Sequence, residues 1–180
     1  MELNEKTLTK EYMYRGKVVN MRRDKAELPD GQIVDREVVE HPGGVAIALE
    51  GDDGKFFLVK QWRYAQEKVL MEFPAGKKEK GEDPLDTAKR EIVEETGYEG
   101  NDFVFLGEMV PTGAYDSEVI SMYYAKQGAY RGQHFDDDEN LQLCRMDLDE
   151  LTEEIINGKI PDGKTMAMVL LIKEMKKRRK

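Results

Sequence analysis

Three glutamates, Glu91, Glu94 and Glu95, stand at i, i+3 and i+4 in the stretch GKKEKGEDPLDTAKREIVEETGY, which runs from Gly76 to Tyr98. On a helix this spacing puts all three carboxylates on one face. Like charges so placed repel and weaken the helix, and more so where water is excluded. A divalent cation reverses the sign of that interaction. Hard oxygen ligands from one or two carboxylates, completed by water and substrate phosphates, suit Mg²⁺, and Mn²⁺ accepts the same set. The competing reading of the glutamates alone is a solvated acidic face on an acidic protein.

The surrounding residues supply the helix. Asp83 suits the N-cap, and Pro84 suits the first helical position, where its missing N–H costs nothing. Leu85, Ala88 and Ile92 recur at helical spacing and give one narrow apolar stripe, and Gly97 suits the helix end. The spacing therefore predicts a helix of about fourteen residues, close to the usual globular length. Its carboxylates would sit beside the stripe that faces the core.

The spacing of the whole stretch resembles the Nudix box: Gly, five residues, Glu, seven residues, then Arg-Glu, an aliphatic, any residue, Glu-Glu, any residue, Gly and a bulky apolar residue. These positions are Gly76, Glu82, Arg90, Glu91, Ile92, Glu94, Glu95, Gly97 and Tyr98, with none missed. The resemblance implies an α+β fold, an α/β/α sandwich around a mixed sheet, and metal-dependent hydrolysis of a diphosphate linkage. It further implies that Glu91, Glu94, Glu95 and the carbonyl of Ala75 hold Mg²⁺ or Mn²⁺. Arg90 would orient the glutamates by ion pairing, and Glu82 would either help to ligate a metal or tie the loop to the helix.

The likeness extends over nearly the full chain and is greatest to the bacterial ADP-ribose pyrophosphatases within that family. ELPDGQIVDREVVEHPGGVAIAL resembles that branch's N-terminal antiparallel extension, MEFPAGKKEKGE its Glu-x-Pro-Ala-Gly lead-in, and DDDENLQL its acidic loop before a strand. This implies substrate contacts from Arg36, Glu37 and Arg63, partly across an intertwined homodimer, and a catalytic carboxylate from Glu139, with Asp137 and Asp138 as alternatives. Arg63 also reads as a surface charge on an edge strand. Trp62 and Tyr64 read either as stacking partners for adenine or, for at least one of them, as core. One departure concerns the loop after the box. Pro111 in Val110-Pro111-Thr112-Gly113 falls two residues earlier than in many ADP-ribose hydrolases, and a longer TGAYDSE follows. The sugar end of the substrate is therefore left open, with another sugar nucleotide or a dinucleotide as the alternatives to ADP-ribose, and a nucleotide-binding module without chemistry as the alternative from another class.

Composition limits the other classes. The 180 residues carry a formal net charge of −9, which argues against broad nucleic-acid binding, because that requires clustered Lys and Arg. A lone cysteine, Cys144, suits a reducing cytoplasm. No apolar run approaches the roughly 20 residues that span a membrane, and MELNEKTLTKEYMYRG is unlike a signal peptide, so a soluble, unprocessed chain is expected. The terminal KKRRK reads as a solvated helix end favoured by the helix dipole.

Strands and tight turns are expected from Glu2 to Phe73. Thr7–Tyr14, Val18–Leu28 and Ile33–Glu40 make an antiparallel unit, and the apolar run Gly43–Leu49 with Phe56–Arg63 makes the central pair. Val69–Phe73, Phe103–Val110, Val119–Ala125 and Leu141–Met146 are further strands. Gly128–Asn140 reads as a surface loop, and Asp147–Asn157 and Thr165–Lys177 as helices. The apolar run Met166–Ile172 suits a terminal helix buried nearly all round. One domain is expected over 1–180, with an extension at 1–42 and a core at 43–180.

Overall fold

A computed structural model of the chain describes residues 2–135 and 140–178. It divides into two compact units, one formed by 1–43 with 110–119 and the other by 44–109 with 120–180.

The first unit is a three-stranded antiparallel sheet in the order β1 (Lys6–Arg15), β2 (Asn20–Glu27), β3 (Ile33–Glu40). Pro29-Asp30-Gly31 makes the β2–β3 turn, where Gly31 takes a φ of 86° that a side chain would disfavour. Segment 110–119 is stitched to the end of β3. The Val39 N–H donates to the Tyr115 carbonyl at 2.7 Å, and the Ser117 N–H to the Val39 carbonyl at 3.0 Å. Every residue of β1 is exposed.

The second unit is built on a mixed sheet in the order β10 (Leu141–Met146), β5 (Phe56–Arg63), β4 (Gly44–Glu50), β9 (Ile120–Tyr130), β8 (Tyr98–Met109). β6 (Lys68–Glu72) pairs with β5, and β7 (Ala75–Lys77) pairs with β4. β4 and β9 run parallel, and the other pairs are antiparallel. All seven residues of β4 are buried, as a continuous apolar run predicts for a strand covered on both faces.

Alternation along the strands divides the core in two. Val45, Ile47, Leu49, Phe57 and Tyr123 pack with Ala88 and Ile92 of α1 (Pro84–Thr96). Ala46, Ala48, Phe56, Leu58, Met122 and Tyr124 pack on the other side with Leu151 of α2 (Leu148–Ile156) and Met168, Val169 and Ile172 of α3 (Gly163–Arg178). Helices on both faces of a mixed sheet give the expected α/β/α sandwich in an α+β chain.

Several expectations are corrected. β9 runs through Tyr130, so Gly128–Tyr130 is strand where a loop was expected, and β8 begins at Tyr98 directly after α1. Both strands extend beyond the apolar residues because they pair with each other from Tyr98–Tyr130 to Met109–Ile120 across three register shifts. β7, only three residues long, was not expected. Trp62 and Tyr64 are 55% and 88% exposed, so neither is core. α3 is not buried all round: Met168, Val169 and Ile172 face the sheet, while Met166 and Leu170 are exposed. Among the described residues no helix is long and apolar enough to cross a membrane.

Candidate active site

Local sequence sets the position of α1. The Asp83 side chain accepts from the Leu85 N–H at 2.8 Å, Pro84 opens the helix, and Gly97 closes it at a φ of 79°. With Ala88 and Ile92 fully buried against β4 and its neighbours, the rotation of the helix is fixed. Glu91 and Glu95 are then carried inward, to 8% and 2% exposure.

Opposite them lies β7. The Ile47 N–H donates to the Pro74 carbonyl at 2.8 Å, which makes Ile47–Pro74 a hydrogen-bonded pair. The next pair, Ala46–Ala75, is then of the non-bonded type, and the N–H and carbonyl of Ala75 both point away from β4. The Ala75 N–H reaches Glu95 Oε2 at 3.3 Å. At Gly76 the missing side chain leaves the space that the Glu91 carboxylate fills, which a Cβ there would overlap.

Arg90 joins the pieces. Its Nη1 lies 2.9 Å from Glu91 Oε1 and 2.9 Å from Glu94 Oε2. Its Nε and Nη2 donate to the two oxygens of Glu82 at 3.2 and 3.1 Å, and Nη2 also reaches the Lys77 carbonyl at 3.3 Å. Glu82 accepts the Glu79 N–H at 3.0 Å as well. Of its two readings, the structure displays the tie between loop and helix. Hydrogen bonds from Arg90, then from the Glu79 backbone, hold the Glu82 carboxyl down at about 2. The same bonds to Glu82, working against partial burial, raise the Arg90 guanidinium further above its already high value.

Arg63, at the end of β5, lies with Nε 2.6 Å and Nη2 2.9 Å from the two oxygens of Glu72. Burial works against its charge. The Glu72 hydrogen bond outweighs this only together with the charges of Glu72, Asp162 and Glu95, so its pKa is raised. Arg63 and Glu95 therefore feel each other's charge. Arg36 and Glu37 lie in the other unit, adjacent on exposed β3, where Arg36 forms a fork with Glu5 at 2.7 and 2.8 Å. Asp137, Asp138 and Glu139 lie outside the described residues.

Residues 40–169 match the family model of the NUDIX domain, and residues 5–39 that of the nucleoside diphosphate sugar hydrolase N-terminal domain. The chain belongs to the Nudix family. It is 40% identical over 168 residues to a methanol dehydrogenase activator of Bacillus methanolicus, covering 92% of this chain and 90% of that one. It is 34% identical to an ADP-ribose pyrophosphatase of Bacillus subtilis, with 91% and 89% covered, and 30% identical to one of Mycobacterium tuberculosis, with 92% and 82% covered. A crystal structure of an ADP compounds hydrolase superposes with a TM-score of 0.86 at 20% identity, over 99% of this chain and 98% of that one.

The chain is thus a Nudix hydrolase, and the fit of its box to a divalent ion can be tested on its own geometry. Among the described residues no group of three Asp, Glu, His or Cys side chains is gathered closely enough to hold an ion. Glu91 and Glu94 instead converge on one positively charged nitrogen of Arg90. The arginine thereby brings two of the expected ligands towards one point. With the charge of Glu95 and the outward-facing Ala75 carbonyl, the donor set is all hard oxygen, as Mg²⁺ or Mn²⁺ requires.

The sequence reading quoted Glu72 only within the Glu-x-Pro-Ala-Gly lead-in, without a role, and missed Asp162 and Lys164. Glu72 is 1% exposed and accepts Arg63, while Lys164, 8% exposed, contacts both Glu72 and Asp162. The signal available was an acid inside the apolar lead-in VLMEF and a lysine at the start of an apolar helix.

Proposed function

We propose that the chain hydrolyses the diphosphate of ADP-ribose to AMP and ribose 5-phosphate, using Mg²⁺ or Mn²⁺. The observation that carries this reading is the convergence of Glu91 and Glu94 on a single Arg90 nitrogen, beside a Gly76 backbone left bare for the Glu91 carboxylate. Two relatives at 34% and 30% identity are named ADP-ribose pyrophosphatases, which favours that substrate.

In this reading Glu91, Glu94, Glu95 and the Ala75 carbonyl hold the ion. When bound, it neutralises diphosphate charge and lowers the pKa of the attacking water. Arg90 gathers and aims the carboxylates, and Arg63 supplies N–H donors to phosphate oxygens. Arg36 and Glu37 contact the nucleotide, and Glu139, with Asp137 and Asp138 as alternatives, takes the proton from water.

A homodimer belongs to the same proposal. Leu8, Tyr12, Met13, Tyr14, Met21 and Ile33 on the N-terminal sheet are exposed, and a second copy would cover them. Light scattering that gives a monomer mass at micromolar concentration would remove that part.

The test of the whole is release of AMP from ADP-ribose by the purified chain. Activity should vanish on chelation and return with Mg²⁺ or Mn²⁺, and hydrolysis that persists at full rate in chelator would refute the proposed ion site. A panel containing GDP-mannose and dinucleotides ranks the substrates. The relative at 40% identity favours a second reading, an activator of a dehydrogenase. Alcohol oxidation by a methanol dehydrogenase, with and without the chain, tests it.

A further inference from the structure

The start of α3 carries an ionic cluster that reaches back to Arg63. The Lys164 ammonium contacts the Glu72 carboxylate, and lies 2.9 Å from Asp162 Oδ1. Asp162 Oδ2 accepts the Thr165 N–H at 2.9 Å and the Thr165 hydroxyl at 2.6 Å. The Thr165 hydroxyl oxygen in turn accepts the Phe73 N–H at 2.9 Å. The first turn of α3 thus grips both Glu72 and the backbone of the residue that leads into Pro74-Ala75.

The charges in this cluster decide what Arg63 can do. Glu72 is 1% exposed and takes two of the five N–H donors of Arg63. With Glu72 as its sole partner, the Arg63 charge would be cancelled, and Asp162 and Glu95 would leave the surroundings net negative. That field repels a diphosphate. Lys164 supplies a second positive charge to the same buried carboxylate, so Arg63, Lys164, Glu72 and Asp162 sum to zero and the surroundings as a whole are less negative by one charge. The remaining donors of Arg63 then keep their attraction for anions.

We infer that Lys164 is a positioning residue: by placing a second positive charge on Glu72 Oε2, the oxygen that Arg63 Nη2 also contacts, it aims the Arg63 fork and leaves its charge available to a nucleoside diphosphate. This rests on the reading that Arg63 binds substrate phosphate. Lys164 itself, buried on α3 and spent on Glu72 and Asp162, touches no reacting atom.

The test is the affinity of the purified chain for α,β-methylene-ADP with Mg²⁺, measured by calorimetry, so that no turnover is needed. Lys164→Met should weaken binding about tenfold. Arg63→Met should do at least as much, and the double variant should be no worse than Arg63→Met alone, because Lys164 acts through Arg63. Lys164→Arg should restore most of the affinity. Asp162→Asn keeps the oxygen that caps Thr165 but removes a negative charge, so it should tighten binding. Opposite signs for neighbouring substitutions separate electrostatic positioning from loss of fold, which thermal melts of each variant monitor. Wild-type affinity in Lys164→Met, or additive losses in the double variant, overturns the inference. A wild type that binds the analogue yet leaves ADP-ribose intact refutes the proposed function and not the role of Lys164. A wild type that does not bind the analogue overturns both.

Discussion

The backbone of Gly76 and the carboxylate of Glu91 occupy adjoining space so closely that a single methyl group on Gly76 would overlap all three carboxylate atoms. This glycine is fixed by a close approach and not by a turn, since its φ is ordinary for a strand. Gly76→Ala should therefore fold. The displaced atoms are the end of a flexible side chain, and Glu91 can swing away from Arg90. The expected cost is in chemistry: about 10–100-fold in turnover, the range for displacing the support of a metal ligand, with little change in melting temperature. Wild-type turnover in Gly76→Ala would show that the position of Glu91 is not needed.

Glu95 separates charge from shape. Its Oε2 accepts the Ala75 N–H at 3.3 Å, and glutamine at this position keeps an acceptor of the same reach. Glu95→Gln should leave the α1–β7 contact and the melting temperature nearly unchanged. Turnover should fall by at least about 100-fold, because a neutral amide is a poor ligand for a hard cation. Binding of Mn²⁺, followed by electron paramagnetic resonance, should weaken in parallel. Unchanged Mn²⁺ affinity would take Glu95 out of the ion site.

Arg90 is a fork that a lysine does not reproduce. It serves Glu82 with two nitrogens, shares a third between Glu91 and Glu94, and reaches the Lys77 carbonyl. An ammonium group on Arg90→Lys can meet only part of this set, which leaves the glutamates to repel one another. The variant should melt a few degrees lower without metal, and Mg²⁺ should recover more stability than it adds to wild type. An equal gain in the two proteins would show that Arg90 and the ion do not share the carboxylates.

The parts of the fold that rest on local chemistry were legible in the sequence. The limits of α1 follow from Asp83, Pro84 and Gly97, each acting within its own turn. The limits of β3 and β5 fall where their turn residues place them, at Ile33–Glu40 and Phe56–Arg63. Non-local pairing was not legible. β7 is the three residues Ala75-Gly76-Lys77, with no periodicity, and only pairing with β4 makes them a strand. The ends of β8 and β9 extend each other through residues such as Gly100 and Gln127 that carry no strand pattern. Glu72 and Lys164 meet from 92 positions apart, and two isolated charges so far separated give no sign of their pairing. Trp62, read either as an adenine-stacking partner or as core, proves exposed.

Glu82 links the box to acid stability, and the direction can be worked out. In the folded chain its carboxyl is held at about 2 against an ordinary value of 4.5, by Arg90 first and the Glu79 N–H second. Between these values the unfolded chain binds a proton that the folded chain does not, so folding weakens as pH falls. The contribution is complete above 4.5 and gone once the pH has passed below about 2. Glu72 and Glu50 are also held low in the folded chain, by Arg63 and Lys164 and by Lys176, Tyr124 and Lys126, against the opposing effect of burial. They add loss of the same sign in both proteins, so the difference between wild type and Glu82→Gln isolates Glu82. Thermal melts across that window should fall more steeply in wild type, and the two curves should converge at the acid end. Parallel curves would mean that Arg90 does not hold Glu82 in its charged form.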